Sequence, residues 1–179
     1  MAVENTPLAY FITIACYGAR LHGDGRGSVD PTHNAFGTPF LTGDPERFAT
    51  MTERMLQTPY EMDAARRECV SEAILEVCRF RQWQMLALHI RTNHLHIVVE
   101  AIAAPERVAN DFKSYASRRL NRTGIDTADR KRWARHESTI YLWTSAEVEG
   151  AVDYTLNQQG EPMQIYPHGG SVSGGSVSG

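Results

Sequence analysis

The order in which strand-like and helix-like segments alternate is the feature that most restricts how this chain can fold. Runs rich in β-branched, aromatic and other apolar residues predict strands at 7–18, 83–90, 94–101 and the end of 131–143. Apolar residues three and four apart predict helices at 63–81, 104–124 and 144–162. This order predicts an α+β fold, a ferredoxin-like (RRM-like) antiparallel sheet with helices on one face plus a C-terminal helix. The other sheet face is then open to hold chemistry.

Local signals support the helix boundaries. Asp63 is an expected N-cap, and Pro105 stands where a proline is tolerated in the first turn of a helix. Gly124 is expected to end the second helix. Thr144 and Glu147 have the spacing of a capping box at the start of the third helix.

The length of 179 residues fits one domain, which we expect to span 1–168. Residues 19–60 are rich in Gly, Asp and Pro and form a long loop insertion, in which Arg26 among three glycines could bind a phosphate. The repeated Gly, Ser and Val of 169–179 predict a flexible tail.

Composition excludes several classes of protein. No apolar run approaches the length of a membrane span, and the N-terminus lacks the basic patch of a signal peptide, so we expect a cytoplasmic protein with no membrane partner. The three cysteines are odd in number, and two lie in an apolar helical pattern. Buried thiols are therefore expected instead of disulfides or a zinc site.

Charge is distributed unevenly along the chain. Between residues 111 and 135 eight basic side chains stand against three acidic ones, a local charge of +5. Because the whole chain carries −3, the remainder carries −8. A polyanion would therefore be drawn to this one region, although a solvated helix face would show the same charge run. Its basic residues are Lys113, Arg118, Arg119, Arg122, Arg130, Lys131, Arg132 and Arg135.

Two histidines stand one residue apart at the start of the strand HLHIVVE. Side chains alternate along a strand, so His94 and His96 share one face while Leu95 and Ile97 face the core. Two imidazoles at this spacing can reach one divalent cation. Such a pair arises by chance in roughly one chain in four of this composition, so surface histidines are an open alternative.

The last predicted helix carries a second polar pair. Tyr154 and Gln158 lie four residues apart and therefore on one helical face, beside an apolar stripe. A tyrosine at such a position is commonly only a packing residue, partly buried with its hydroxyl in water.

These motifs together resemble a known family. The segments NHLHIVVE, NDFKSYASRRLN, KRWARHESTIYLW and YTLNQQGEPM, in this order, are similar to the HUH endonuclease superfamily. The resemblance is to its single-tyrosine transposases of the REP-associated and short insertion-sequence kinds. It runs from about residue 83 to 163, and the early YFITIACYGARLHGDGRGSVD is similar to one bacterial branch. A histidine pair followed after 58 residues by a tyrosine, with glutamine four on, is more specific than either part.

The resemblance implies a role for each of these residues. His94 and His96 would bind Mg²⁺ or Mn²⁺ with Gln158 as a third ligand, and Tyr154 would be the nucleophile that forms a covalent phosphotyrosine. The implied enzyme is a metal-dependent endonuclease and strand transferase for single-stranded DNA beside a hairpin, a transposase or a domesticated relative. The basic residues of 111–135, with Arg26, would contact the DNA. Dimers occur in this family, so the resemblance also allows a homodimer.

Two other functions fit the same residues. The sheet could be a non-catalytic module that binds single-stranded DNA or RNA, with the histidines lining a groove. Alternatively, the two histidines could belong to a metallohydrolase in which water is the nucleophile.

Overall fold

The computed structural model describes residues 6–19 and 55–167. In chain order the elements of this part are β1 (Ala9–Ala15), α1 (Ala64–Arg81), β2 (Gln84–Ile90), β3 (His94–Glu100), α2 (Pro105–Arg122), β4 (Ser138–Leu142), α3 (Ser145–Asn157) and β5 (Gln164–Tyr166). The expectations for Arg26 and the tail, and most of the expected insertion at 19–60, lie outside the described residues. The end of that insertion belongs to the core, because Tyr60 is buried.

The strands form one antiparallel sheet in the order β4-β1-β3-β2-β5. Its first four strands have the arrangement that a strand-helix-strand-strand-helix-strand order produces in a ferredoxin-like fold, so the predicted fold class is confirmed. Strand β5 was not predicted. It pairs with β2, from Leu88 opposite Tyr166 to Ile90 opposite Gln164.

The sheet has a helix layer on each face. Helices α1 and α2 pack on the face formed by the alternate residues Ile12, Leu95 and Ile97, which belong to the main core. Helix α3 packs on the opposite face across β2 and β3, where a smaller core includes Phe11 and Val98. The second face is therefore partly covered, and α3 lies directly over the strand that carries the histidine pair.

The helix starts follow the predicted caps. The side chain of Asp63 accepts a hydrogen bond from the Arg66 amide at 2.9 Å, and Pro105 is the first residue of α2. Thr144 and Glu147 form both bonds of a capping box at the start of α3. Helix α3 ends at Asn157, earlier than predicted, and Gln158 is its C-cap.

All three cysteines are buried and free, as the sequence predicted. Burial raises the pKa of Cys16 and of Cys78 to about 12, so these thiols stay protonated near neutral pH. Within residues 6–19 and 55–167, no helix combines the length and apolar character that a membrane crossing requires.

Candidate active site

The two histidines lie at the start of β3 on the sheet face that α3 covers. Their ring centres are 4.9 Å apart with the planes at 73°. His96 is buried, whereas His94, the first residue of the strand, is half-buried opposite Ala15 of β1. The alternation of the strand thus brings both imidazoles to one place, as expected from the sequence.

Each imidazole is oriented through its Nδ1 atom. Nδ1 of His94 lies 2.7 Å from Oδ1 of Asn93, an amide oxygen that can only accept, so this nitrogen carries the proton. Nδ1 of His96 lies 3.0 Å from the buried hydroxyl of Thr13 on the neighbouring strand. Contacts of this kind fix ring orientation in histidines that bind metals through the other nitrogen.

Tyr154 lies on α3 beside these rings. Its ring centre is 5.8 Å from that of His96 and 5.8 Å from that of Phe11, both at steep angles. Phe11 also stacks on His96, with ring centres 5.6 Å apart and the planes at 13°, so the three rings contact one another. Tyr154 is half-buried, so its ring is packed in place without being sealed in the core.

Gln158 does not join this group in the structure. Gln158 is the C-cap residue of α3, and its exposed side chain donates from Nε2 to Oδ2 of Asp153 at 2.5 Å. Its backbone amide still donates to the Tyr154 carbonyl at 3.2 Å, so the two residues remain joined by the last helical hydrogen bond. The role of Gln158 as a metal ligand therefore stays a prediction.

A third histidine on the same sheet face was not singled out from the sequence. His89 of β2 stands opposite His96 and is fully buried, with its ring bonded to Thr155 and Met163. Burial lowers the pKa of His89 below its ordinary value. The nearby charge of Arg91 lowers this pKa further, and the hydrogen bond to Thr155 only partly opposes the two effects. A lone histidine in an apolar strand carries no sequence signal that separates it from other core positions.

Two predicted DNA-binding residues make interior contacts. Arg132 is buried, with Nε 3.0 Å from Oδ2 of Asp126. Lys113 forms an ion pair of 2.5 Å with Glu137, and both side chains are largely buried. These two cations therefore hold the loop after α2 in place and are not displayed on the surface.

Other predicted basic residues are on the surface. Arg118, Arg122, Lys131 and Arg135 are exposed. Arg119 pairs with Glu72 and Glu76 of α1, and Arg130 lies over the Tyr60 ring at 5.0 Å.

The basic loop reaches the strand end where His94 lies. The Ala134 amide donates to the Ala15 carbonyl at 2.9 Å, and Ala15 is the register partner of His94. Arg135 follows Ala134 directly. The backbone of the basic loop therefore lies next to the end of β1 that pairs with His94.

Across residues 6–19 and 55–167, no three His, Cys, Asp or Glu side chains cluster as a metal site. The candidate metal centre consists of the two imidazoles, to which an amide or substrate oxygen would have to be added.

Comparison with known proteins provides independent findings. The family model described as "Transposase IS200 like" matches residues 56–148, just over half of the chain. A comparison with curated proteins finds no match. Eight chains of solved structures match. One is a structure of a REP-associated tyrosine transposase bound to a REP hairpin, at 10% sequence identity and a TM-score of 0.49, covering 84% of this chain and 66% of that one. This chain thus spans just under two thirds of that protein's length.

The family match covers the part of the fold from the end of the expected insertion to the first turn of α3. It includes both His94 and His96, and it ends six residues before Tyr154. The family membership therefore follows from the match, whereas the position of Tyr154 beside the histidines follows from the geometry described above. The chain belongs to the IS200-like transposase family.

Proposed function

We propose that this chain is a metal-dependent single-stranded DNA endonuclease and strand transferase that acts through a covalent phosphotyrosine. One observation carries the proposal. Tyr154 and His96, 58 residues apart in sequence, lie with ring centres 5.8 Å apart, and His94 lies 4.9 Å from His96. A nucleophile and two potential metal ligands thus converge on one sheet face.

The residues present fit a divalent cation. Two imidazoles that share one ion stand with ring centres about 5 Å apart, given metal–nitrogen bonds of about 2.1 Å, close to the 4.9 Å found here. His94 and His96 would hold Mg²⁺ or Mn²⁺. Both ions favour oxygen ligands, so an oxygen from Gln158 or from a DNA phosphate would complete the site. When bound, the ion would offset the negative charge that develops on the phosphate.

Tyr154 supplies the nucleophile in this proposal. Its phenol oxygen loses its proton and attacks the phosphorus, forming a tyrosine–phosphate ester while the bond to the 3′-oxygen breaks and that oxygen takes up a proton. The phosphate is now a diester of tyrosine and the 5′ end of the downstream strand. A 3′-hydroxyl can reverse the attack and rejoin strands, so no external energy source is needed.

The surface favours a nucleic acid at this edge of the sheet. Arg135 and Lys131 are exposed on the loop that lies beside the His94 end of the sheet. Guanidinium groups pair with phosphates and also stack on unpaired bases. We propose single-stranded DNA flanking a hairpin as the substrate, because an unpaired strand can bring its phosphate up to Tyr154 and the two histidines.

Labelled hairpin DNA with single-stranded flanks, incubated with Mn²⁺, tests this function. The wild-type chain should cut the strand and form a denaturation-resistant adduct, and Tyr154→Phe should do neither. Tyr141→Phe, which alters an exposed tyrosine on β4, should behave as wild type. His94→Ala should fold and lose metal-dependent cleavage.

The two other candidate functions give different patterns in the same assay. A binding module would retain the DNA without cutting it. A metallohydrolase would keep cutting after Tyr154→Phe. Either result would overturn the proposal.

A further inference from the structure

Two side chains hold the C-terminal end of α3 to the sheet, one from β2 and one from the residue that follows β2. His89 lies in β2, and Arg91 follows the strand by one residue. Their partners are backbone atoms of the segment from Thr155 to Met163. Tyr154 immediately precedes this segment.

His89 makes two bonds that determine its protonation. Nδ1 lies 3.0 Å from the carbonyl oxygen of Thr155, and the Met163 amide donates to Nε2 at 3.2 Å. A carbonyl can only accept and an amide N–H can only donate, so the ring is neutral with its proton on Nδ1. The imidazole therefore bridges the last turn of α3 and the segment that leads into β5.

Arg91 contacts the turn that lies between Thr155 and Met163. Its guanidinium donates from Nη1 to the carbonyl of Gln159 and, at 3.2 Å, to that of Glu161. The final carbonyls of a helix have no partner within the helix, and here His89 supplies a donor to the carbonyl of Thr155 while Arg91 supplies donors to the turn that follows. The N-terminal end of α3 is fixed independently by its capping box.

From these contacts we infer that His89 and Arg91 are positioning residues for Tyr154. They act through the backbone of the Thr155–Met163 segment and touch neither substrate nor metal. This inference rests on the proposed role of Tyr154 as nucleophile. Because His89 holds the carbonyl of the residue next to Tyr154, its loss would let the tyrosine ring move relative to His96.

The test compares His89→Leu with His89→Gln. Leucine fills the space without polar atoms, whereas glutamine can both donate to Thr155 and accept from Met163. The control is Val77→Ala, which removes buried volume from α1 on the other side of the sheet. Arg91→Met keeps the aliphatic stem of Arg91 and removes its donors.

The first readout is the single-turnover rate of adduct formation at saturating hairpin DNA and Mn²⁺, together with the Kd for the same DNA. His89→Leu should lower the rate roughly 10- to 100-fold with the Kd nearly unchanged, since small misplacements of a reacting group have effects of that size. Arg91→Met should change the rate in the same direction, and His89→Gln should recover most of it. Val77→Ala should leave the rate near wild type. An unchanged rate in His89→Leu, or an equal loss in Val77→Ala, overturns the inference.

The second readout does not require activity. Amide hydrogen exchange in residues 151–159 should be roughly tenfold faster in His89→Leu than in wild type, since helix-terminal hydrogen bonds have been lost. Exchange in α1 should not change. If wild type forms no adduct, the proposed function fails, but this measurement still shows whether His89 holds the end of α3 in place. Unaltered exchange in 151–159 would show that His89 does not hold the end of α3, whether or not the chain cuts DNA.

Discussion

At His94 and His96, the partner of one ring nitrogen determines how the other nitrogen is presented. Asn93 holds Nδ1 of His94 and Thr13 holds Nδ1 of His96, so both rings have a set orientation before any ion binds. Pre-orientation of this kind raises the affinity of histidine ligands because less freedom is lost on binding.

Replacing Thr13 by valine should weaken metal binding without unfolding the chain. Valine keeps the shape of threonine and removes the hydroxyl that lies 3.0 Å from Nδ1 of His96. We expect the Kd for Mn²⁺, measured by isothermal titration calorimetry, to rise about 10-fold or more. Thr139→Val is the matched control, because Thr139 pairs with Ile12 on the core-facing side of the sheet. A Kd in Thr13→Val equal to that of the control would contradict this role.

The sequence identified some residues of the candidate site and not others, for physical reasons. The spacing of His94 and His96 reports their shared face directly, because strand alternation is a local property. The contacts of His89 with Thr155 and of Arg132 with Asp126 depend on packing and chain reversal. Charge alone predicted a surface position for Arg132, and a buried carboxylate six residues away reversed that expectation.

At the scale of elements, α3 is the unit that brings Tyr154 to the sheet. Its capping box joins Thr144 and Glu147, with the Glu147 carboxylate also accepting from the Trp143 amide at 2.7 Å. Hydrogen bonds from Trp143 and Thr144 lower the pKa of Glu147. The start of the helix is therefore well defined, as the sequence predicted.

Thr144→Ala should destabilise the chain by about 1 kcal/mol, the usual effect of losing an N-cap side chain. The lost bond runs from the Glu147 amide to the Thr144 hydroxyl. Urea unfolding followed by circular dichroism measures the difference. Ser145→Ala, an exposed change at the next position, should be close to neutral. Equal stability of the two variants would show that the cap has no such effect.

Strand β5 could not be predicted from sequence patterns. Its three residues, Gln164–Tyr166, lie between two prolines and are too short to display a period. Its pairing with β2 depends on the turn that Arg91 holds, which is a contact distant in sequence. The longer strands and the three described helices were predictable because each spans several repeats of its own period.

At the scale of the whole molecule, Asp126 connects the segment before α1 to the basic loop. Its carboxylate accepts from the Tyr60 hydroxyl at 2.6 Å, from Arg66 at 2.9 Å and from Arg132 at 3.0 Å. Burial alone would raise the pKa of Asp126, but the hydrogen bonds from Tyr60, Arg132 and Arg66 lower it below its ordinary value. A carboxylate with a lowered pKa stabilises the fold above the ordinary pKa near 3.9, and this contribution is lost as pH falls through the folded-state pKa.

Asp126→Asn should therefore cost stability at neutral pH and little in acid. At pH 7 we expect a loss of about 3 kcal/mol, since Arg66 and Arg132 lose a buried partner. As pH falls from about 4 towards the lowered folded-state pKa, the difference from wild type should shrink, because Asp126 of the unfolded wild-type chain takes up a proton before the folded chain does. Urea unfolding from pH 7 to pH 3 measures this, with exposed Glu149→Gln as the control. A difference that stays constant with pH would contradict the assignment.

The single chain brings Tyr154 to its own histidines, which predicts catalysis within one subunit even if the chain forms a homodimer. The supporting distance is the 5.8 Å between the ring centres of Tyr154 and His96. Mixing Tyr154→Phe with His96→Ala should therefore restore no cleavage of hairpin DNA. Recovery of a substantial part of the wild-type rate in the mixture would show that two subunits share the site.

The central claim is that the Tyr154 oxygen becomes bonded to a DNA phosphate. Peptide mass spectrometry of the chain after incubation with hairpin DNA and Mn²⁺ tests it most directly. The account predicts a 5′-linked nucleotide remnant on the peptide that contains Tyr154, located at that residue by fragmentation. A cut strand with no remnant on the protein, or a remnant at another residue, would contradict it.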